Sequence, residues 1–270
     1  MKIYLYGLEF KKIKNNFMNL KKLQNNWDEF GKNDPLWSIL TVKDKKGNKW
    51  EINKFFKTGE EEIAKVMKHV ELLSDSINRR KALDFGCGVG RLTQALADYF
   101  EEVCGVDIAP SMIYRAKKYN RHGNRCKFYL NAKNNLNLFD SNSFDFIYSN
   151  IVLQHMKPKY TKEYIKEFIR VLNKNGFLIF QIPSKRIRIN GFIRKLVRRL
   201  VPFAVLDRIF YLRIRLTSMF KKGPMMEVYS IKKEEVVKFI EENGAKILNI
   251  IPDQMNHGRW ESYIYFVTKG

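Results

Sequence analysis

The sequence has little sulfur chemistry to offer. Cys87, Cys104 and Cys126 are its only cysteines, and they form no CxxC pair and no Cys/His spacing of the kind that holds zinc. A disulfide framework is excluded; buried free thiols in a reducing compartment, with no metal site, are expected instead. No apolar run reaches the ~20 residues that span a bilayer. The opening "MKIYLYGLEFKK" turns basic too early for a secretory leader, so the expected address is the cytoplasm. Internal repeats and low-complexity tracts are lacking as well. Negative charge is the other scarcity: 28 Asp and Glu stand against 50 Lys and Arg, for a net charge of +22. So basic a surface attracts polyanions, whether nucleic acid, anionic lipid or phosphate-bearing substrates.

What is present is enough for a full core: 270 residues, 45% of them hydrophobic, suit one large α/β domain with appendages. From Lys81 on, short apolar strands alternate with helical patterns. "KALDF" (81–85), "EVCGVD" (102–107), "KFYL" (127–130), "SFDFIYS" (143–149) and "FLIFQIP" (177–183) read as strands. Helices are predicted over 91–100, 110–120, 159–176 and 232–244, the last two closed by glycine. This alternation predicts a parallel, doubly wound sheet with helices on both faces. "AKILNIIP" (245–252) and "ESYIYFVTK" (261–269) follow each other without a helix between them, so the final strand is expected to insert antiparallel. Residues 1–80 read as a helical N-terminal cap and 185–222 as a basic insertion, leaving 81–184 and 223–270 as the catalytic domain.

The stretch "ALDFGCGVGRLTQAL" (82–96) sets Gly86, Gly88 and Gly90 at alternate positions after a strand. Glycines there let the backbone turn tightly and approach a ligand, beside the N–H groups of a following helix. Asp107 ends the second strand, where a carboxylate can accept both hydroxyls of a ribose. The pattern is GxGxG rather than the GxGxxG of nicotinamide sites. Asp84 adds negative charge that repels a pyrophosphate and suits a sulfonium with an α-ammonium group. That balance favours S-adenosylmethionine over a dinucleotide.

"ALDFGCGVGRLTQAL", "VCGVDIAPSMIYRAKK" and "SFDFIYSNIVLQHM" resemble successive motifs of the class I S-adenosylmethionine-dependent methyltransferases. "DPLW", "FFKTG" and "WESYIYF" add a resemblance to uncharacterised bacterial small-molecule and glycan-type members. The resemblance implies a Rossmann-like, seven-stranded, mostly parallel sheet of order 3-2-1-4-5-7-6, with S-adenosylmethionine as cofactor and S-adenosylhomocysteine as product. Asp84 and Gly86 would lie near the methionine moiety, Cys87, Gly88 and Gly90 would shape the loop, and Asp107 would hold the ribose. Ile108 and Met112 would flank the adenine. The family often has an acid after the third strand, where this chain has Ala132; Asn131 or a backbone carbonyl then takes over. Asn150 completes the cofactor set.

Methyl transfer needs alignment and exclusion of water, and a hydroxyl acceptor gains from a general base. "SNIVLQHM" carries His155 just past the fourth strand, and it is the expected base. Trp37 and Phe56 from the aromatic lead-in, with His257, Trp260 and Glu261 near the last strand, are the expected acceptor pocket. His69 and His122 are expected on charged helical surfaces. The fourth-strand motif lacks the Pro-Pro-aromatic run that grips a flipped base, which disfavours nucleic acid.

Residues 185–222 hold twelve Lys/Arg and one acid, half the chain's net charge. In "FIRKLVRRLV" (192–201) the apolar residues fill one half of a helix and the arginines and Lys195 the other. That fits a substrate lid, a peripheral contact with an anionic membrane at the inner face, or both. The expected function is O-methylation of a small-molecule, sugar or lipid-linked acceptor. An RNA methyltransferase and a non-catalytic S-adenosylmethionine-binding module remain the alternatives, and the oligomeric state is open.

Overall fold

The computed structural model describes residues 19–74, 76–187, 223–253 and 260–270. Its centre is one sheet of seven strands: β1 (Lys81–Phe85), β2 (Glu102–Asp107), β3 (Cys126–Leu130), β4 (Phe144–Ser149), β5 (Leu172–Arg186), β6 (Ala245–Pro252) and β7 (Trp260–Lys269). Their order is β3-β2-β1-β4-β5-β7-β6, as the resemblance implied. The first five are mutually parallel, and β7 runs antiparallel between β5 and β6. The central strands β1 and β4 are buried almost end to end. That is why they read as unbroken apolar runs rather than alternating ones.

Seven helices accompany the described strands: α1 (Leu20–Asn33), α2 (Pro35–Ile39), α3 (Ile52–Leu73), α4 (Arg91–Leu96), α5 (Pro110–Tyr119), α6 (Pro158–Val171) and α7 (Lys233–Glu242). Side chains alternate across each strand, and two core clusters result. On one face Leu83, Ile147 and Leu178 meet Ile165 and Phe168 of α6 and Ile240 of α7. The Phe85 ring lies 4.5 Å from Tyr164 and 4.9 Å from Phe168, contacts worth about 0.5–1.5 kcal/mol each beyond their buried area. On the other face Ala82, Phe146 and Ile179 meet Ile63, Met67 and Val70 of α3 and Leu96 of α4.

The N-terminal helices close over the strand ends. Asn19 caps α1, its side chain accepting from the N–H of Lys22 at 2.8 Å. The Asp28 carboxylate accepts from the N–H of Ser111 at 2.8 Å, and the Ser111 hydroxyl donates to the Asp28 carbonyl. Proline at the first position starts α2, α5 and α6, where the missing N–H costs nothing. Leu36, Phe55, Phe56, Val89 and Met112 form a third cluster above the loops that follow β1 and β2.

Several boundaries differ from the sequence reading. The helix expected over 159–176 ends at Val171, because Leu172 already pairs with Phe144 of β4. Asn175, at φ 59°, makes the left-handed turn, while Gly176 lets the chain pass the Asp145 carbonyl: a Cβ there would stand 3.0 Å from its oxygen. The helix expected over 91–100 ends at Leu96. His69 is half-buried against the Phe266 ring at 4.4 Å, and His122 lies beyond α5 rather than on it. The three cysteines are buried and unbridged. Of the basic insertion, only Lys185, Arg186 and Ile187 are described, the first two extending β5 opposite Glu261 and Trp260; the rest of it lies outside the described residues. No described helix is long and apolar enough to cross a membrane.

Candidate active site

A cleft of about 970 Å³, counting the solvent at its mouth, opens over the C-terminal ends of β1 to β4. Strand order reverses between β1 and β4, the place where open α/β sheets receive ligands. Phe85–Gly88 line the cleft after β1, Asp107 and Ile108 after β2, Asn131 after β3, and Asn150–Val152 after β4. Helix α1 supplies Leu20, Leu23 and Trp27, and α2 supplies Ser38 and Ile39.

The glycine loop has the shape its spacing predicted. Gly86 and Gly88 have φ of 81° and 54°, a region that costs other residues about 1–2 kcal/mol. The N–H groups of Gly86 and Cys87 donate to the Val106 carbonyl at 2.7 and 3.0 Å, folding the loop across β2. A Cβ on Gly86 would stand 2.3 Å from a Val152 methyl, and one on Gly88 2.5 Å from Ile39 Cδ1. Ile151, between Asn150 and Val152, also has a positive φ, 59°. For a β-branched residue that is a strained backbone, found at a wall of the cleft.

Asp107 accepts from the N–H of Ala109 at 2.8 Å and from that of Gly88 at 2.9 Å. Burial pushes its carboxyl up to about 6, against the opposing pull of those N–H groups. Asp84 takes a different position from the one expected. It is buried beneath the loop, accepts from the Thr93 hydroxyl at 2.6 Å and is not among the lining residues. Burial raises it to about 7, countered by Thr93 and Arg91 and reinforced by Glu62 and Asp107.

One buried wall was missed from the sequence. Glu62 of α3 receives Arg91 Nη2 at 2.8 Å on one carboxylate oxygen. Its other oxygen receives Asn150 Nδ2 at 2.7 Å and the Tyr148 hydroxyl at 3.0 Å. Arg91 and Asn150 both line the cleft. The signal was faint: in "GEEEI" Glu62 sits beside Ile63 and three residues after Gly59, on the edge of the helix's buried face.

His155 closes a 3₁₀ turn, Leu153–His155, and lines the cleft with its ring edge-on to Trp27 at 5.2 Å. Nδ1 meets the Glu227 carbonyl at 2.8 Å and Nε2 meets the Gln154 amide nitrogen at 3.2 Å. A carbonyl only accepts, so Nδ1 carries the hydrogen of the neutral ring. Burial lowers the pKa of the ring, with the Glu227 carbonyl opposing.

Of the residues expected to bind cofactor, Gly86, Cys87, Gly88, Asp107, Ile108, Met112, Asn131 and Asn150 line one cleft. Ala132 does not: it is exposed outside the lining, since the chain turns away once the Asn131 side chain binds the N–H of Lys133 and the carbonyl of Asn135. Gly90 caps α4 at φ 84°. The expected acceptor pocket does not assemble. Trp37 donates its indole N–H to the Val42 carbonyl, and Phe56 is core. Glu261 pairs with Lys185 at 2.8 Å beside Trp260, at the far end of β7. None of these four lines the cleft, and His257 lies outside the described residues. Trp27 takes the place expected for Trp37.

The donor set fits a nucleoside bearing positive charge. Among the described residues Arg91 is the only cationic side chain that lines the cleft, and Glu62 already neutralises it. Among these residues a pyrophosphate would find no free counter-charge, whereas Asp107 still has lone pairs for hydroxyl donors.

Residues 83–180 match the family model described as a methyltransferase domain. Phosphoethanolamine N-methyltransferase 3 of Arabidopsis thaliana is 29% identical over 100 residues, 37% of this chain and 20% of that protein. Phosphoethanolamine N-methyltransferase 1 of Caenorhabditis elegans is 26% identical over 102 residues, 38% of this chain and 21% of that one. The match thus spans about a fifth of the length of these relatives. Among solved structures, magnesium protoporphyrin IX methyltransferase from Synechocystis with bound S-adenosylhomocysteine aligns at TM-score 0.60 and 18% identity, over 93% of this chain and 100% of that one. A SAM-dependent methyltransferase from Leishmania major aligns at 0.62 and 12% identity, over 93% and 87%. At such identities the likeness is one of fold.

Proposed function

We propose that this chain, whose residues 83–180 form a class I S-adenosylmethionine-dependent methyltransferase domain, methylates an oxygen of a small-molecule, sugar or lipid-linked acceptor. The observation that carries the reading is one cleft lined by the Gly86–Gly88 loop, Asp107 and the neutral imidazole of His155. When bound, S-adenosylmethionine supplies an electrophilic methyl on a sulfonium and leaves as S-adenosylhomocysteine. Asp107 would hold the ribose hydroxyls, Ile108 and Met112 would flank the adenine, and Asn131 would take its edge, Ala132 lying outside the cleft. Gly86, Cys87 and Asn150 border the methionine end, and buried Asp84 adds negative potential from behind the loop in its ionised form, above about pH 7. Trp27, Leu20 and Ile39 exclude water, which leaves alignment as the main source of rate. His155 receives the acceptor's hydroxyl proton at Nε2.

A second reading comes from the relatives: transfer to the amine of a phosphorylated amino alcohol, as the names of the curated matches say of those proteins. The net charge of +22 also suits a phosphate-bearing acceptor, and keeps RNA as a further alternative. Residues 1–80 as a cap and 185–222 as a lid or an anionic-membrane contact belong to the same proposal, as does a cytoplasmic address with peripheral attachment.

The test is transfer of labelled methyl from S-adenosylmethionine into a cell extract, fractionated into lipid, glycan, small molecules, nucleic acid and protein, with Asp107→Ala alongside. Label in lipid, glycan or neutral small molecules that the variant loses supports O-methylation. Label in phosphorylated amines favours the second reading, and label in RNA overturns both. Cofactor binding with no label anywhere supports the non-catalytic module.

A further inference from the structure

We propose that Gln154 is a positioning residue of the reaction: its side-chain amide holds the His155 ring with the lone pair on Nε2. The proposal rests on the reading above, in which His155 receives the acceptor's proton. Four buried polar side chains form one line. Gln181 Nε2 donates to Ser262 Oγ and, at 3.5 Å, to Gln154 Oε1. With its oxygen engaged there, Gln154 turns its N–H toward His155 Nε2, 3.2 Å away. Nδ1 then donates to the Glu227 carbonyl at 2.8 Å. Gln154, His155, Gln181 and Ser262 are each at most 6% exposed, so each depends on protein partners for its hydrogen bonds.

The backbone around the line is fixed too. The Tyr229 N–H donates to the Gln154 carbonyl at 2.7 Å, and the Ile231 N–H to the Pro183 carbonyl at 3.0 Å. The segment carrying Glu227 is thereby tied to both the 3₁₀ turn and β5. An N–H···N contact of 3.2 Å is long, and an acceptor hydroxyl bonds a ring nitrogen at shorter range. Gln154 thus keeps the lone pair oriented and yields it to the hydroxyl.

The ring's immediate packing neighbours are uncharged. Trp27 of α1, Gln181 of β5 and Ser262 of β7 bring no charge. Among the described residues the titratable groups nearby are Glu227, whose carboxylate takes the Tyr229 hydroxyl, and Cys87, Arg91, Asp107 and Tyr164 of the cleft lining. The influences acting on the ring are its burial and the Glu227 carbonyl.

The test uses the full chain carrying ¹⁵N-histidine, with His155→Asn to assign its resonances among the four histidines. In the neutral protein Nδ1 is expected protonated and Nε2 bare; the opposite tautomer overturns the proposal. Gln154→Glu sets a carboxylate against Nε2, so the ring's titration should move up by about 1 unit or more. The acid limb of kcat should follow, with KM for S-adenosylmethionine within about twofold. An unmoved titration overturns the proposal. Should Gln154→Glu not fold, Gln154→Met removes the donor at similar volume, and the Nε2 resonance should shift toward that of an unbonded ring nitrogen; an unchanged resonance overturns the proposal. A moved titration with an unmoved kcat profile upholds the hold on the ring and sinks the base role of His155.

Discussion

The Val152 side chain occupies the space that a side chain on Gly86 would need: its Cγ2 and Cγ1 lie 2.3 and 2.5 Å from where a Cβ would stand. Gly86→Ala therefore meets a steric clash and an unfavourable φ of 81° together. The expected loss is about 2–4 kcal/mol of stability, read by urea denaturation. Adding Val152→Ala should recover only part of it, because the φ penalty stays.

Glu62 joins α3 to the cleft through Arg91, Tyr148 and Asn150. Glu62→Ala leaves the Arg91 guanidinium, with 5% of its side chain exposed, unpaired in the interior. The expected cost is about 3–5 kcal/mol. Glu62→Ala combined with Arg91→Met should cost much less than the two changes added, and a double-mutant cycle by calorimetry checks this.

Asp84 and Asp107 give the fold an unusual pH dependence. Burial raises them to about 7 and about 6, above the ordinary 3.8 of an unfolded chain. The stability from their protonated forms is complete below pH ~4 and is lost as pH rises through 6 and 7. Asp84→Asn should accordingly stabilise by on the order of 4 kcal/mol at pH 8 and by little at pH 4. Glu102 works the other way: Lys127 and Lys81 hold it down at about 2, so its contribution fades as pH falls from about 4.5 toward 2. Thermal denaturation of both proteins across pH 4–8 reads the difference.

His155→Gln should lower kcat by about 10²–10³ while S-adenosylmethionine affinity stays within about threefold. Because burial lowers the ring's pKa, kcat of the wild type should rise with pH below 6.5 and level off above it. Turnover with isothermal titration calorimetry separates the two quantities. A variant that loses cofactor affinity as much as turnover would place His155 in the cofactor site instead.

The parallel half of the fold was legible because buried strands write themselves as unbroken apolar runs; β1 and β2 have the predicted ends. The end of α6 was not, since Gly176 is required for a close approach rather than for a cap, and Asn175 makes the turn. In the cleft, the motif residues were readable because backbone geometry demands glycine and a carboxylate there. Trp27 against Trp37 was not readable: both are lead-in tryptophans, and only the docking of α1 on α5 decides which faces the cleft. Glu62 resembled a solvated member of an acidic run until α3 packed beside Arg91.

Ile151 bears on how the cleft divides its energetics. Holding this residue at φ 59° costs about 1–2 kcal/mol, a cost met once, during folding. A ligand that touches Asn150 or Val152 finds the wall already bent and need not bend it. Ile151→Gly would relax the torsion at the expense of a half-buried side chain, and free the wall to adopt other shapes. Tightness of binding and robustness of the fold thus pull in opposite directions at a single backbone torsion.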